Sequence, residues 1–172
     1  MVYSQLRPNI KTADVIIFEG RGFGQRIIRA LTGESASHIE LVVEVADGLW
    51  AYGYRGKGGF NAEPLSQVID RALAEGQRVY HGEAPAWVAS RAPEIIAAAI
   101  QYRDHDSPPK YSFWSLPKVW IAQFTGKVVK TGLVCCTFVM RMWEVSGYTF
   151  AKTPDPGDFL TLCKRVTPIT QN

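Results

Sequence analysis

One stretch constrains the fold more than any other: the alternating run His38-Ile-Glu-Leu-Val-Val-Glu-Val45, followed closely by Asp47-Gly48. Successive side chains of a strand point to opposite faces, so Ile39, Leu41, Val43 and Val45 share one side and His38, Glu40, Val42 and Glu44 the other. Asp-Gly is a favoured two-residue hairpin turn, which predicts that Leu49–Tyr54 returns antiparallel beside the first strand. Tyr52 then lies on the strand next to that of His38. A tight turn of this kind builds an antiparallel sheet, because parallel neighbours need a long crossover.

The remaining elements mix strand and helix. Asp14–Phe18 reads as a short buried strand, bounded by the glycine-rich Gly20–Gly24. Gln25–Leu31 reads as a helix with a narrow apolar stripe, ended at Thr32-Gly33. Gly56–Gly59 is expected to be an exposed loop and a candidate lid. Pro64–Ala74 is predicted to be a helix, Arg78–His81 a strand and Pro93–Tyr102 an alanine-rich helix. Two prolines within 104–110 break the pattern, Trp114–Phe124 is aromatic and helical in pattern, and Leu133–Val145 is a strongly apolar helix ended by Gly147. Pro154-Asp-Pro-Gly157 precedes a last short element. There is no internal repeat and no long linker, so 172 residues with 47% apolar content are expected to form one α+β domain over residues 1–172.

Charge and composition remove several classes of function. A net charge of +3 does not argue for nucleic acid, and Arg21, Arg26 and Arg29 at near-helical spacing fit a solvated helix face. The N-terminus lacks an apolar signal core, and no run approaches the roughly 18 apolar residues that cross a bilayer. A cytoplasmic protein without an integral membrane segment is therefore expected, delivery elsewhere by another system being left open. Three cysteines, two of them adjacent, make no disulfide framework and suit a reducing compartment. The three histidines and three cysteines show none of the short spacings of zinc sites, so neither metal nor cofactor is expected.

A cysteine in an apolar run is ordinarily a core residue. Cys135 has a further property. Phe138, Val139, Met142 and Trp143 follow it at +3, +4, +7 and +8, so a buried face runs beneath a cysteine at a helix's first turn, where the dipole favours an anion. Cys136 lies about 100° round the helix without that register and ranks second, while Cys163 reads as a small core residue. His38 shares its strand face with Glu40 and Glu44, a setting that asks for polar partners. His81 and His105 have no such setting and are expected to be solvated. A thiol nucleophile at Cys135 with His38 as base follows, since a helix N-terminus and a nearby imidazole both favour thiolate. A rival reading takes Gly20-x-Gly22-x-Gly24 and an acidic strand as half a nucleotide-binding α/β unit, with Glu40 or Glu44 on a ribose. Its glycine spacing is wrong, and the Asp47-Gly48 turn opposes the crossover that fold requires.

Five segments together resemble a family. Asp14-Val-Ile-Ile-Phe-Glu-Gly with Thr32-Gly-Glu-Ser-Ala-Ser-His38 is similar to the opening of the circularly permuted papain-like amidases of the NlpC superfamily, in which the histidine strand precedes the cysteine helix. Pro108-Pro-Lys-Tyr111-Ser-Phe, Val134-Cys135-Cys-Thr-Phe-Val139 and Thr153-Pro-Asp-Pro-Gly157-Asp-Phe-Leu resemble segments of its YiiX-type members, in the same order. The lecithin retinol acyltransferase relatives share that order and the Phe138-Val139 ending.

The resemblance implies a papain-like fold with a small antiparallel sheet packed against helices, Cys135 as nucleophile and His38 as base, acting through a thioester on a peptide, amide or acyl-lipid substrate. The family's third polar group comes from the strand after the histidine, as histidine, glutamate, asparagine or glutamine. Here that position is Tyr52, whose phenol orients imidazole more weakly than a carboxylate, so Glu40 or Glu44 could take the role. The same departure leaves open a papain-like binding module without chemistry. The aromatic run Tyr111, Phe113, Trp114, Trp120 and Phe124 could line an acyl groove, or fill the core as aromatics ordinarily do.

Overall fold

A computed structural model describes residues 1–20, 33, 35–46, 48–55, 59–104 and 135–171. Strands β1 (Val15–Glu19), β2 (His38–Val45), β3 (Gly48–Arg55), β4 (Gly59–Pro64), β5 (Arg78–Glu83) and β6 (Arg165–Ile169) form one sheet in the order β4-β3-β2-β1-β5-β6. All five strand pairings are antiparallel. That removes the nucleotide-binding reading, whose ligand crevice needs parallel strands.

The turn sets the register. Val45 pairs with Gly48 and Leu41 with Tyr52, and Gly48 has φ +135°, a conformation an L side chain rarely adopts. Asp47 and the 56–58 part of the proposed lid lie outside the described residues, whereas Gly59 opens β4, a strand the sequence reading did not contain. The expected helix at 25–31, the arginines at 21, 26 and 29, His105 and the aromatic segment with Tyr111, Phe113, Trp114, Trp120 and Phe124 also lie outside them.

Each face of the sheet carries its own core. Helix α1 (Tyr3–Leu6) and a 3-10 turn lead into β1, and helix α2 (Leu65–Ala74) follows β4. Leu65, Val68, Ile69 and Ala72 of α2, at i, i+3, i+4 and i+7, cover Ile16, Phe18, Val42, Ala51 and Val79 of the sheet. The opposite face, with Val15, Ile17, Ile39, Leu41, Val43, Tyr52 and Tyr54, packs against the remaining helices. These are the short α3 (Ala86–Ala89), α4 (Ala92–Arg103), α5 (Cys135–Glu144) and α6 (Asp158–Leu162).

The polar face expected of β2 is therefore not a wet one. Beneath α2, Glu40 is only 1% exposed, a cost that only charged partners can offset.

Helix α5 is fixed at its far end by Trp143, whose indole N–H donates to the Ala13 carbonyl at 3.0 Å and whose ring meets Phe159 edge-on at 5.1 Å. At its near end Phe138 sits among Tyr54, Phe60 and Tyr102, with ring centroids 5.2 to 6.0 Å away. Among the described residues no helix is long and apolar enough to cross a membrane.

Candidate functional site

Cys135 of α5 lies on one face of the sheet, while His38 belongs to the other. The pairing explains how they meet. Val42 donates its N–H to the Asp14 carbonyl, toward β1, so by alternation the N–H groups of Ile39 and Leu41 point toward β3. The pairing of β2 with β3 begins only at Leu41, which leaves Ile39 facing a gap. The Cys135 sulfur fills it, accepting the Ile39 N–H and sharing a hydrogen bond with the His38 side chain. Cys135 is 5% exposed and the His38 side chain 19%, so what solvent reaches the pair does so on the histidine side.

The far side of the ring is held by Glu40. His38 Nε2 lies 3.0 Å from Glu40 Oε1, and Phe18, directly across in β1, sets its ring 5.5 Å from the imidazole. Glu40 also receives a fork from Arg55 of β3: Nε meets Oε1 at 2.5 Å and Nη2 meets Oε2 at 2.8 Å. This crossing is possible because the residue facing Glu40 in β3 is Gly53; a Cβ there would lie 2.8 Å from Glu40 Cγ. Arg55 continues to Glu63 of β4 at 3.2 Å, and Arg71 of α2 binds Glu63 at 2.6 Å.

The electrostatics favour a charged pair. The Cys136 thiol donates to Cys135, the His38 charge attracts it and the Ile39 N–H adds to both, which against burial holds the Cys135 thiol well below its ordinary value. Cys136, donor to that sulfur and buried, is pushed well above its own. Burial opposes charge on His38, but the Cys135 thiolate and Glu40 outweigh it and raise the imidazolium to about 10. Burial likewise opposes charge on Glu40, and the hydrogen bonds from His38 and Arg55 bring it down to about 2.

The other expected residues stand elsewhere. Tyr52 is on the opposite face from His38, within the core under α5, and its hydroxyl accepts from Arg103 at 3.4 Å. Glu44 is exposed, six residues along β2 from the imidazole, a separation of roughly 20 Å in a strand. Its backbone N–H donates to Thr12, beside a cavity of about 660 Å³ at the other end of the hairpin. Cys163 is buried against Gly82, and burial together with the Asp14 charge raises its thiol to about 12.

His81 is a correction. It is buried rather than solvated, because Asp14, remote in sequence, receives its Nε2 at 2.7 Å while accepting the N–H groups of Lys11 and Ala84.

The sequence reading passed over Arg55, Gly53 and the Ile39 main chain. Counting outward from an Asp47-Gly48 loop would have set Glu40 opposite Arg55 and missed Gly53; the observed register draws Gly48 into β3 against Val45 and so sets Glu40 opposite Gly53 and His38 opposite Arg55.

No protein-family model matches the sequence, and neither does any curated protein. Among solved structures, the chain is similar to that of the metalloprotein yiiX from Escherichia coli O157:H7 (DUF1105), with a TM-score of 0.55 and 17% identity over 79% of this chain. The match spans 66% of yiiX, just under two thirds of its length. The chain thus has the YiiX-type fold, an α+β arrangement with a six-stranded antiparallel sheet. Among the described residues, no three His, Cys, Asp or Glu side chains come together as a metal-binding group.

Proposed function

We propose that the chain is a thiol hydrolase of the circularly permuted papain-like kind, acting on amide or ester bonds of a peptide or acyl-lipid substrate. One observation carries the reading: a cysteine of α5 shares a hydrogen bond with an imidazole whose other side rests on a buried carboxylate. With Nε2 on Glu40, Nδ1 is the nitrogen left to serve the sulfur.

In the resting pair the proton sits on His38 and the charge on Cys135. The thiolate attacks the acyl carbon, and the developing oxyanion requires a hydrogen-bond donor beside the sulfur, a part for which the Cys135 N–H is the candidate. His38 gives its proton to the leaving amine or alcohol, which departs and leaves a thioester. His38, now neutral, takes a proton from water as it adds to the thioester, and the acid leaves as the thiolate re-forms. Glu40 keeps the ring oriented and the imidazolium charged, the part that the family pattern assigns to the next strand.

The test is acylation. Incubation with p-nitrophenyl esters of short and long acyl chains, quenched in acid, is expected to give an acyl adduct mapped to Cys135 and absent in His38→Ala. An adduct on Cys163, or one indifferent to His38, overturns the proposal. The small exposure of Cys135 favours a second reading, a binding module on the same fold; a folded protein that forms no acyl adduct at Cys135 would select it.

A further inference from the structure

The geometry points to Arg55 as a positioning residue for this thiol chemistry: its guanidinium forks onto both oxygens of Glu40 and so fixes the carboxylate that holds His38. The inference rests on the reading of Cys135 and His38 as nucleophile and base. Three observations support it. The fork is bidentate, the arrangement in which a guanidinium constrains a carboxylate in both distance and plane. The path is kept open by Gly53, where any Cβ would displace the Glu40 stem. Arg55 is itself held from behind, by Glu63, which Asn61 and Arg71 bind in turn. A single carboxylate touching a histidine can swing away. This one is clamped between two cations inside the sheet's α2-side core.

Among the described residues, the charged groups around Glu40 are few. His38 faces it from its own strand and Arg55 from β3; Arg55 meets Glu63 of β4, Glu63 meets Arg71 of α2, and Cys135 of α5 meets His38. Loss of the guanidinium removes one of the two groups that keep Glu40 ionised against its burial. The carboxylate then protonates at a higher pH, and the imidazolium loses its anchor there.

The experiment follows the rate of Cys135 alkylation by iodoacetamide from pH 3 to 8 in the wild type, Arg55→Lys, Arg55→Met and His38→Ala, with circular dichroism reporting folding. The expected result is an acid limb displaced upward by about one pH unit or more in Arg55→Met. Arg55→Lys, which keeps the charge and loses the fork, is expected to fall between, and it carries the test if Arg55→Met does not fold. Folded variants with the wild-type acid limb overturn the inference while leaving the hydrolase reading intact. A wild-type profile indifferent to His38→Ala overturns both. A purely structural role would lower the melting temperature and leave the limb in place.

Discussion

Glu40 and Gly53 face each other across β2 and β3 so closely that the glycine has no room for a side chain, its virtual Cβ falling 2.8 Å from Glu40 Cγ. Gly53→Ala is therefore expected to push the carboxylate off its line to His38. Overpacking of this kind costs about 1–3 kcal/mol, and Cys135 alkylation at acidic pH should slow in parallel. A urea midpoint and an alkylation rate at wild-type values would contradict the contact.

The thiol and imidazole should shape stability against pH together. His38 is raised from 6.5 to about 10, so its contribution is complete below 6.5 and is lost as pH climbs through 10. Cys135 is lowered from 9.0, so its contribution is complete above 9 and is lost as pH falls toward its folded value. Between 6.5 and 9 the two trends cancel, since folded and unfolded chains each hold one proton on the pair. The melting temperature should stay level there and drop between pH 9 and 10. In Cys135→Ser that alkaline drop should shrink, because no thiolate remains to hold the proton on the ring, while the raised thiol of Cys163 keeps its own loss above pH 9.

Asp14 offers a contrast. Its carboxylate is buried with three donors, the N–H groups of Lys11 and Ala84 and the ring of His81, none of which touches the thiol. Asp14→Ala is expected to destabilise by about 1–3 kcal/mol, since it leaves the Lys11 and Ala84 N–H groups and the His81 ring without their acceptor. Denaturation midpoints measure the loss. The pH profile of Cys135 alkylation in the folded fraction should not move, and a moved profile would tie Asp14 to the site.

Trp143→Phe removes the indole donor from the Ala13 carbonyl while keeping an aromatic ring against Phe159. A buried acceptor left without its partner costs about 1–3 kcal/mol. Chemical denaturation checks the figure, and an unchanged midpoint would mean that the far end of α5 is held by packing alone.

Much of this arrangement was legible in the residues. Alternation from His38 to Val45 and the turn after it announced the hairpin, and the stripe below Cys135 announced a helix seated on the sheet. The partner of His38 was harder. Matching Tyr52 to a family position ignores the parity of the strand, which sends its side chain to the face opposite His38. Glu40 stood beside Glu44 as an equal alternative because α2, which covers that face, is joined to it only by tertiary packing. His81 was misjudged for the same reason, its partner Asp14 standing just ahead of β1, a strand whose pairing with β5 only the sheet order reveals. Local periodicity reports which way a side chain points; it does not report what waits there.

The donor that Ile39 gives to the Cys135 sulfur has a further consequence. It belongs to the main chain, so every substitution at position 39 except proline keeps it. What would abolish it is a change that zips the hairpin further, closing β3 onto Ile39 and spending that N–H on a carbonyl. The reactivity of the thiol is thus tied to where two strands stop pairing.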